Sequence, residues 1–133
     1  MLELFIAGTP TPQGSKNAFR RGNKIVLVES SKGLPEWREH VIKELKRHNE
    51  THGIMIEGPV LVQAHFYLKR PTTVTRHYPE TKPDLDKLQR AIGDCLEKAQ
   101  IIETDSRIVE WSARKSYADT MPTGVLLTIE PFE

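Results

Sequence analysis

Apolar residues recur along this chain at two spacings, and the change from one to the other lays out five strands and two helices. Positions 2–8 alternate weakly and are β-rich, which predicts a first strand. Positions 9–23 include Thr-Pro-Thr-Pro-Gln-Gly-Ser-Lys and read as a loop, and 24–28 as a second, short strand. The turn residues Ser30-Ser31-Lys32-Gly33 precede Pro35, which suits the first turn of a helix reaching about residue 48. Leu34, Trp37, Val41 and Leu45 form its apolar stripe. Lys43, Lys46 and Arg47 fall in its last turns, where the helix dipole favours cations.

Gly58-Pro59 opens a long strand over 60–69, in which Val60, Val62, Ala64 and Phe66 alternate with Leu61, Gln63, His65 and Tyr67. Apolar residues on both sides at its start predict a central place in the sheet. A loop of turn formers and bases fills 71–83, and a loop of that length is usually mobile or functional. The second helix, over about 86–99, follows from Leu85, Leu88, Ile92, Leu96 and Ala99 at helical spacing. Two more strands, 107–117 and 124–130, are predicted to form a hairpin through Asp119-Thr120-Met121-Pro122. The expected fold is α+β: one domain over 1–133, a single mixed sheet of about five strands with two helices packed against it.

Composition adds bounds. With 133 residues, 38% hydrophobic and 28% charged, the chain has the make-up of one ordinary globular domain. A lone cysteine, Cys95, excludes an internal disulfide framework. No apolar run reaches membrane-spanning length, and no signal peptide opens the chain, so a cytoplasmic protein without membrane contact is expected.

The net charge of +1 conceals an uneven distribution. Between Thr9 and Val28 stand Lys16, Arg20, Arg21 and Lys24 with no acid. Between Val60 and Pro83 stand Lys69, Arg70, Arg76 and Lys82 against Glu80 alone. From Asp84 to Glu110 acids prevail. Two basic arms around an acidic centre suit a protein that grips a polyanion while holding a cation; the plainer alternative is a pair of solvated loops.

Asp84-Leu85-Asp86 is the acidic centre's first part and Asp105 its second. Residues two apart share a direction on extended backbone and oppose each other on a helix, so Asp84 must precede the helix and Asp86 open it if both serve one site. An N-cap explains one such acid. A third beyond the helix is less easily a cap. Aspartates without histidine or cysteine at ligand spacing favour Mg²⁺, with Mn²⁺ the alternative, over zinc. A bare D-x-D…D pattern is common by chance.

The run Lys82-Pro83-Asp84-Leu85-Asp86-Lys87-Leu88-Gln89-Arg90-Ala91, then Asp94, then Asp105-Ser106-Arg107-Ile108-Val109-Glu110, resembles the signature of the RusA family of Holliday junction resolvases. The likeness covers about 30 residues and implies that Asp84, Asp86 and Asp105 are essential metal-binding carboxylates. It also implies a homodimer that nicks two strands of a four-way junction symmetrically with Mg²⁺, leaving 5′-phosphates. Three positions depart from the family pattern: Arg90 stands where lysine is usual, Lys87 where asparagine is, and Thr104 where the first of two acids is. Arg90 keeps the positive charge but cannot transfer a proton near neutral pH.

The resulting expectation is a Mg²⁺-dependent endonuclease acting on branched DNA. Asp84, Asp86 and Asp105 hold the ion, Arg90 and Lys87 neutralise developing charge, and Lys16, Arg20, Arg21, Arg70, Arg76 and Lys82 grip phosphates. A non-catalytic branched-DNA-binding module and a nuclease for flaps or single strands are the alternatives. Asp86, Arg90 and Asp94 also read as an ordinary ion-pair ladder at i, i+4 and i+8. Cys95 and Trp37 read as core, and Trp111 as core or subunit interface. Gln13-Gly14-Ser15-Lys16 lacks the spacing of a nucleotide-binding loop but could touch a DNA phosphate.

Overall fold

A computed structural model describes residues 1–14, 16–22, 24–29, 33–53 and 55–132; for 16–21, 24–29 and 52 it describes the backbone alone. The order is β1 (Leu2–Ala7), β2 (Lys16–Arg21), β3 (Lys24–Glu29), α1 (Leu34–His52), β4 (Val60–Leu68), α2 (Leu85–Lys98), a 3₁₀ turn (Asp105–Arg107), β5 (Ile108–Tyr117) and β6 (Gly124–Pro131). Among the described residues no helix is long and apolar enough to cross a membrane.

The α+β class holds, with one mixed sheet carrying two helices, but that sheet has four strands in the order β1-β6-β4-β5. The fifth expected strand, β3, pairs instead with β2 in a separate antiparallel hairpin. β2 lies in the stretch read as loop, where Lys16, Asn17, Arg20 and Arg21 give no apolar alternation to mark a strand. Nor do the last two strands form a hairpin: β4 lies between them, antiparallel to β6 and parallel to β5. A parallel neighbour requires a crossover, and α2 supplies it. The central place expected for β4 is thus observed.

Val60, Val62, Ala64, Phe66 and Leu68 face one side of β4 and are buried, as are Val125, Leu127 and Ile129 on β6. Against that face lie Leu34, Trp37, Val41 and Leu45 of α1 and Leu88, Ile92 and Leu96 of α2, in one core. Both helical stripes are those the sequence predicts. α1 runs one turn past the expected end and stops at Gly53, whose φ of 74° is the left-handed form glycine adopts freely. At the start of β6, a Cβ on Gly124 would stand 2.2 Å from the carbonyl oxygen of Ile6, so β1 and β6 meet here only because the side chain is absent.

Candidate active site

α2 presents two faces with different work. On the inner one, Cys95 is fully buried and its thiol is pushed up to about 12 by burial, so it packs as core and stays protonated. The outer one carries Asp86, Gln89, Arg90, Gly93 and Asp94 along a cleft of about 560 Å³. Ile108 and Trp111 of β5 line it as well, with Asp105 from the 3₁₀ turn and Gln13 from the arm after β1. A larger, more apolar groove of about 1000 Å³ runs along α1 past Leu34, Pro35 and Ile42, but none of these aspartates lines it.

Asp84 precedes the helix on extended backbone (φ −69°, ψ 136°) and Asp86 lies in its first turn, the arrangement the two-residue spacing requires. Asp84 makes no capping hydrogen bond with its side chain. It is exposed, stands outside the cleft lining, and its Oδ2 lies 3.7 Å from Lys87 Nζ. Asp105 is positioned by Glu97: Glu97 Oε1 accepts the Asp105 N–H at 2.9 Å. That bond, with help from the Thr104 hydroxyl, holds the Glu97 carboxyl below its usual range.

Asp86 lies in the first turn of α2 and Asp105 follows the helix, and both line the one cleft. Among the described residues no three histidine, cysteine, aspartate or glutamate side chains stand close enough together to hold one metal ion. The donor chemistry still fits a hydrated Mg²⁺ or Mn²⁺. Mg²⁺ commonly takes one or two carboxylates and completes its shell with water and phosphate oxygens. Asp86 and Asp105 have no ion-pair partner among the described residues and are open to that role. Asp94 is engaged elsewhere, with Arg38 of α1 and with Lys98 at 3.8 Å. The ladder Asp86–Arg90–Asp94 therefore does not form, because the Asp94 carboxylate turns to α1. Arg90 is left exposed and without an ion pair among the described residues.

The expected DNA-gripping residues divide. Arg70 is occupied within the protein: Nε and Nη2 donate to the two oxygens of Asp119, each at 2.9 Å, and Nη1 to the carbonyls of Val74 (3.3 Å) and Arg76 (2.6 Å). Its guanidinium lies 4.2 Å from the Tyr117 ring centroid. Arg70 thus ties the loop 71–83 to the sheet instead of facing solvent. Arg76 reaches Thr81 Oγ1 at 3.1 Å, and Lys82 is exposed. The side chains of Lys16, Arg20 and Arg21 lie outside the described residues.

Sequence reading missed two residues that shape the site, Glu97 and Lys115, and read Gln13 only within a segment able to touch a DNA phosphate. Lys115 Nζ donates to the carbonyls of Thr81 at 2.7 Å and Pro83 at 2.8 Å, fixing the chain immediately before Asp84. Its signal was strand parity. Lys115 alternates with Trp111 and Ala113 onto the face of β5 that the helices cover, where a lysine needs an internal acceptor. Trp111, assigned to core or interface, is half-buried, packs against the core and lines the cleft.

Residues 7–130 match the family described as Endodeoxyribonuclease RusA. The chain is similar to a Crossover junction endodeoxyribonuclease RusA of Aquifex aeolicus (strain VF5), 24% identical over 132 residues, 99% of this chain and 93% of that protein. It is also similar to the Uncharacterized protein YqaN of Bacillus subtilis (strain 168), 24% identical over 139 residues, 95% of this chain and 94% of that protein. With the match running through both helices and across the acidic cleft, this chain belongs to the RusA endodeoxyribonuclease family.

Proposed function

We propose that this protein is a Mg²⁺-dependent endodeoxyribonuclease that cuts four-way DNA junctions. It acts as a homodimer, making paired, symmetric cuts that leave 5′-phosphates. The observation that carries this reading is the meeting of Asp86, Asp105 and Arg90, which has no ion pair among the described residues, on one cleft beside α2. Family membership supplies the reaction class, and the name of the Aquifex relative supplies the junction.

In this reading Asp86 and Asp105 hold the ion, with Asp84 joining them from the approach to α2. The ion, when bound, supplies a lowered water pKa and neutralises charge on the phosphate under attack. Arg90 binds a non-bridging phosphate oxygen and stabilises the negative charge that grows there. Being permanently protonated, it works as an electrostatic clamp. Lys87, drawn toward Asp84, adds positive charge at the same end. Water adds to phosphorus, the bond to the 3′ oxygen breaks, and the products are a 5′-phosphate and a 3′-hydroxyl. Arg76 and Lys82 of the loop, and Lys16, Arg20 and Arg21 of the β2–β3 hairpin, take phosphates of the junction arms. Two copies related by a two-fold axis match the two-fold character of the junction.

The test is cleavage of a synthetic mobile four-way junction, a flap, a single strand and a plain duplex, each with Mg²⁺ and with EDTA. Paired nicks in the junction with Mg²⁺ alone support the proposal. Preferential cutting of the flap or single strand replaces the substrate, and junction binding without any nicking leaves a DNA-binding module.

A further inference from the structure

The arm that follows β1, residues 8–13, is tied down at both ends. Gly8 N–H donates to the Thr123 carbonyl at 3.0 Å, and Gln13 N–H to the Lys87 carbonyl at 2.9 Å in the first turn of α2. Between them Pro10 and Thr11 are buried, and Thr11 Oγ1 closes a local turn onto the Thr9 carbonyl at 2.9 Å. This fixed arm brings Gln13 to the lining of the acidic cleft. There Gln13 Oε1 is buried and has no hydrogen-bond partner among the described residues. A buried acceptor is normally satisfied, and an orphan beside a binding cleft marks a place where a ligand donor belongs.

Chemistry narrows the identity of the missing donor. The DNA backbone offers phosphate and sugar oxygens, which are acceptors and do not satisfy a carbonyl oxygen; the donors on DNA are the amino and imino groups of its bases, which a junction-affinity measurement detects. The cleft's free carboxylates, Asp86 and Asp105, are acceptors too. Water on a divalent cation is a strongly polarised donor, and Mg²⁺ keeps several such waters when carboxylates supply only part of its shell. We propose that Gln13 is a positioning residue for the hydrated cation, its Oε1 accepting a hydrogen bond from a water of the ion held by Asp86 and Asp105. The inference rests on the metal-dependent nuclease reading and assigns to that site a ligand-orienting group from outside α2. It gives the arm after β1 a part in metal binding, where its sequence suggests only a phosphate contact.

The experiment measures Mn²⁺ binding to the full chain without DNA, by electron paramagnetic resonance. It compares wild type, Gln13→Leu, Gln13→Glu and Asp86→Asn, with junction affinity in EDTA measured in parallel. Groups that orient a metal's ligands from the second layer typically contribute 10–100-fold to affinity. Gln13→Leu is expected to weaken Mn²⁺ binding about tenfold while leaving junction affinity in EDTA within twofold. Its melting temperature should not fall, since the variant removes an orphaned polar atom. Gln13→Glu, which keeps an acceptor and adds charge, is expected to bind Mn²⁺ at least as tightly as wild type.

Wild-type Mn²⁺ affinity in Gln13→Leu overturns the proposal, provided Asp86→Asn has lost binding. Unchanged Mn²⁺ binding with weakened junction affinity also overturns it, and makes Gln13 a DNA contact. If Asp86→Asn itself binds Mn²⁺ as wild type does, the metal-site reading has failed, and the Gln13 inference fails with it.

Discussion

Arg70 precedes the loop 71–83 and Arg90 lies in the helix that follows it, yet the first is fully engaged and the second makes no ion pair among the described residues. Arg70 donates to Asp119 and to two loop carbonyls and lies over Tyr117. Lys115 is spent in the same way on the carbonyls of Thr81 and Pro83. Arg90 and Lys82 are exposed and make neither hydrogen bond nor ion pair among the described residues. The difference teaches that basic residues counted along a chain are not all available to DNA. Those that reach a partner inside the protein hold its loops in place, and those that do not remain open to solvent.

The sharpest way to break this division is Arg90→Ala. If Arg90 stabilises charge on the phosphate as proposed, this should cost about 10²–10³-fold in kcat, with no change in melting temperature, because the side chain makes no hydrogen bond or ion pair among the described residues. A drop in melting temperature of several degrees would place Arg90 with the structural set. Next in size is Lys115→Met. It frees the segment leading into Asp84, and a displacement of about 1 Å near the chemistry can cost on the order of 10²-fold in rate. The expected signature is a loss of cleavage with junction binding retained in EDTA.

Arg70→Ala should act on the loop before the chemistry. Asp119, held below its usual carboxylate range by Arg70, would lose that partner. The loop 71–83 is then expected to become sensitive to limited proteolysis, with cleavage activity falling less than in Lys115→Met.

Glu97→Ala sharpens the comparison through pH. Glu97 has a lowered pKa in the folded protein, so its hold on Asp105 is complete above the ordinary value of 4.5 and is lost as pH falls through the lowered one. The gap in melting temperature between wild type and Glu97→Ala should therefore be constant near neutrality and close in acid. A gap that widens in acid would contradict the assignment. The smallest effect belongs to Lys82→Ala, which should weaken binding alike for all DNA sequences and lower the salt slope by about one.

What the sequence disclosed and what it hid divide along a physical line. Both helices, β1, β4, β5 and β6 were legible because each buries a periodic stripe, and α2 placed Asp84 and Asp86 by spacing alone. Sheet order was not legible. That β4 separates β5 from β6 depends on pairings between segments about 50 to 70 residues apart, and the short loop 118–123 looks locally like a hairpin turn. The β2–β3 hairpin was hidden because β2 is polar and basic. Within the site, Asp86, Arg90 and Asp105 came from motif and resemblance. Glu97 and Gln13 did not, since their roles depend on contacts to Asp105 and Lys87 that no local pattern encodes.

The central claim is that Asp86 and Asp105, far apart along the chain, serve one metal-dependent cleft. The measurement that tests it most directly is junction cleavage and junction binding, with Mg²⁺ across a concentration series, by wild type, Asp86→Asn and Asp105→Asn. The account predicts that either substitution abolishes cleavage at every Mg²⁺ concentration while junction affinity and melting temperature stay near wild type. Normal cleavage by either variant, or loss of cleavage only through loss of binding or folding, would contradict it.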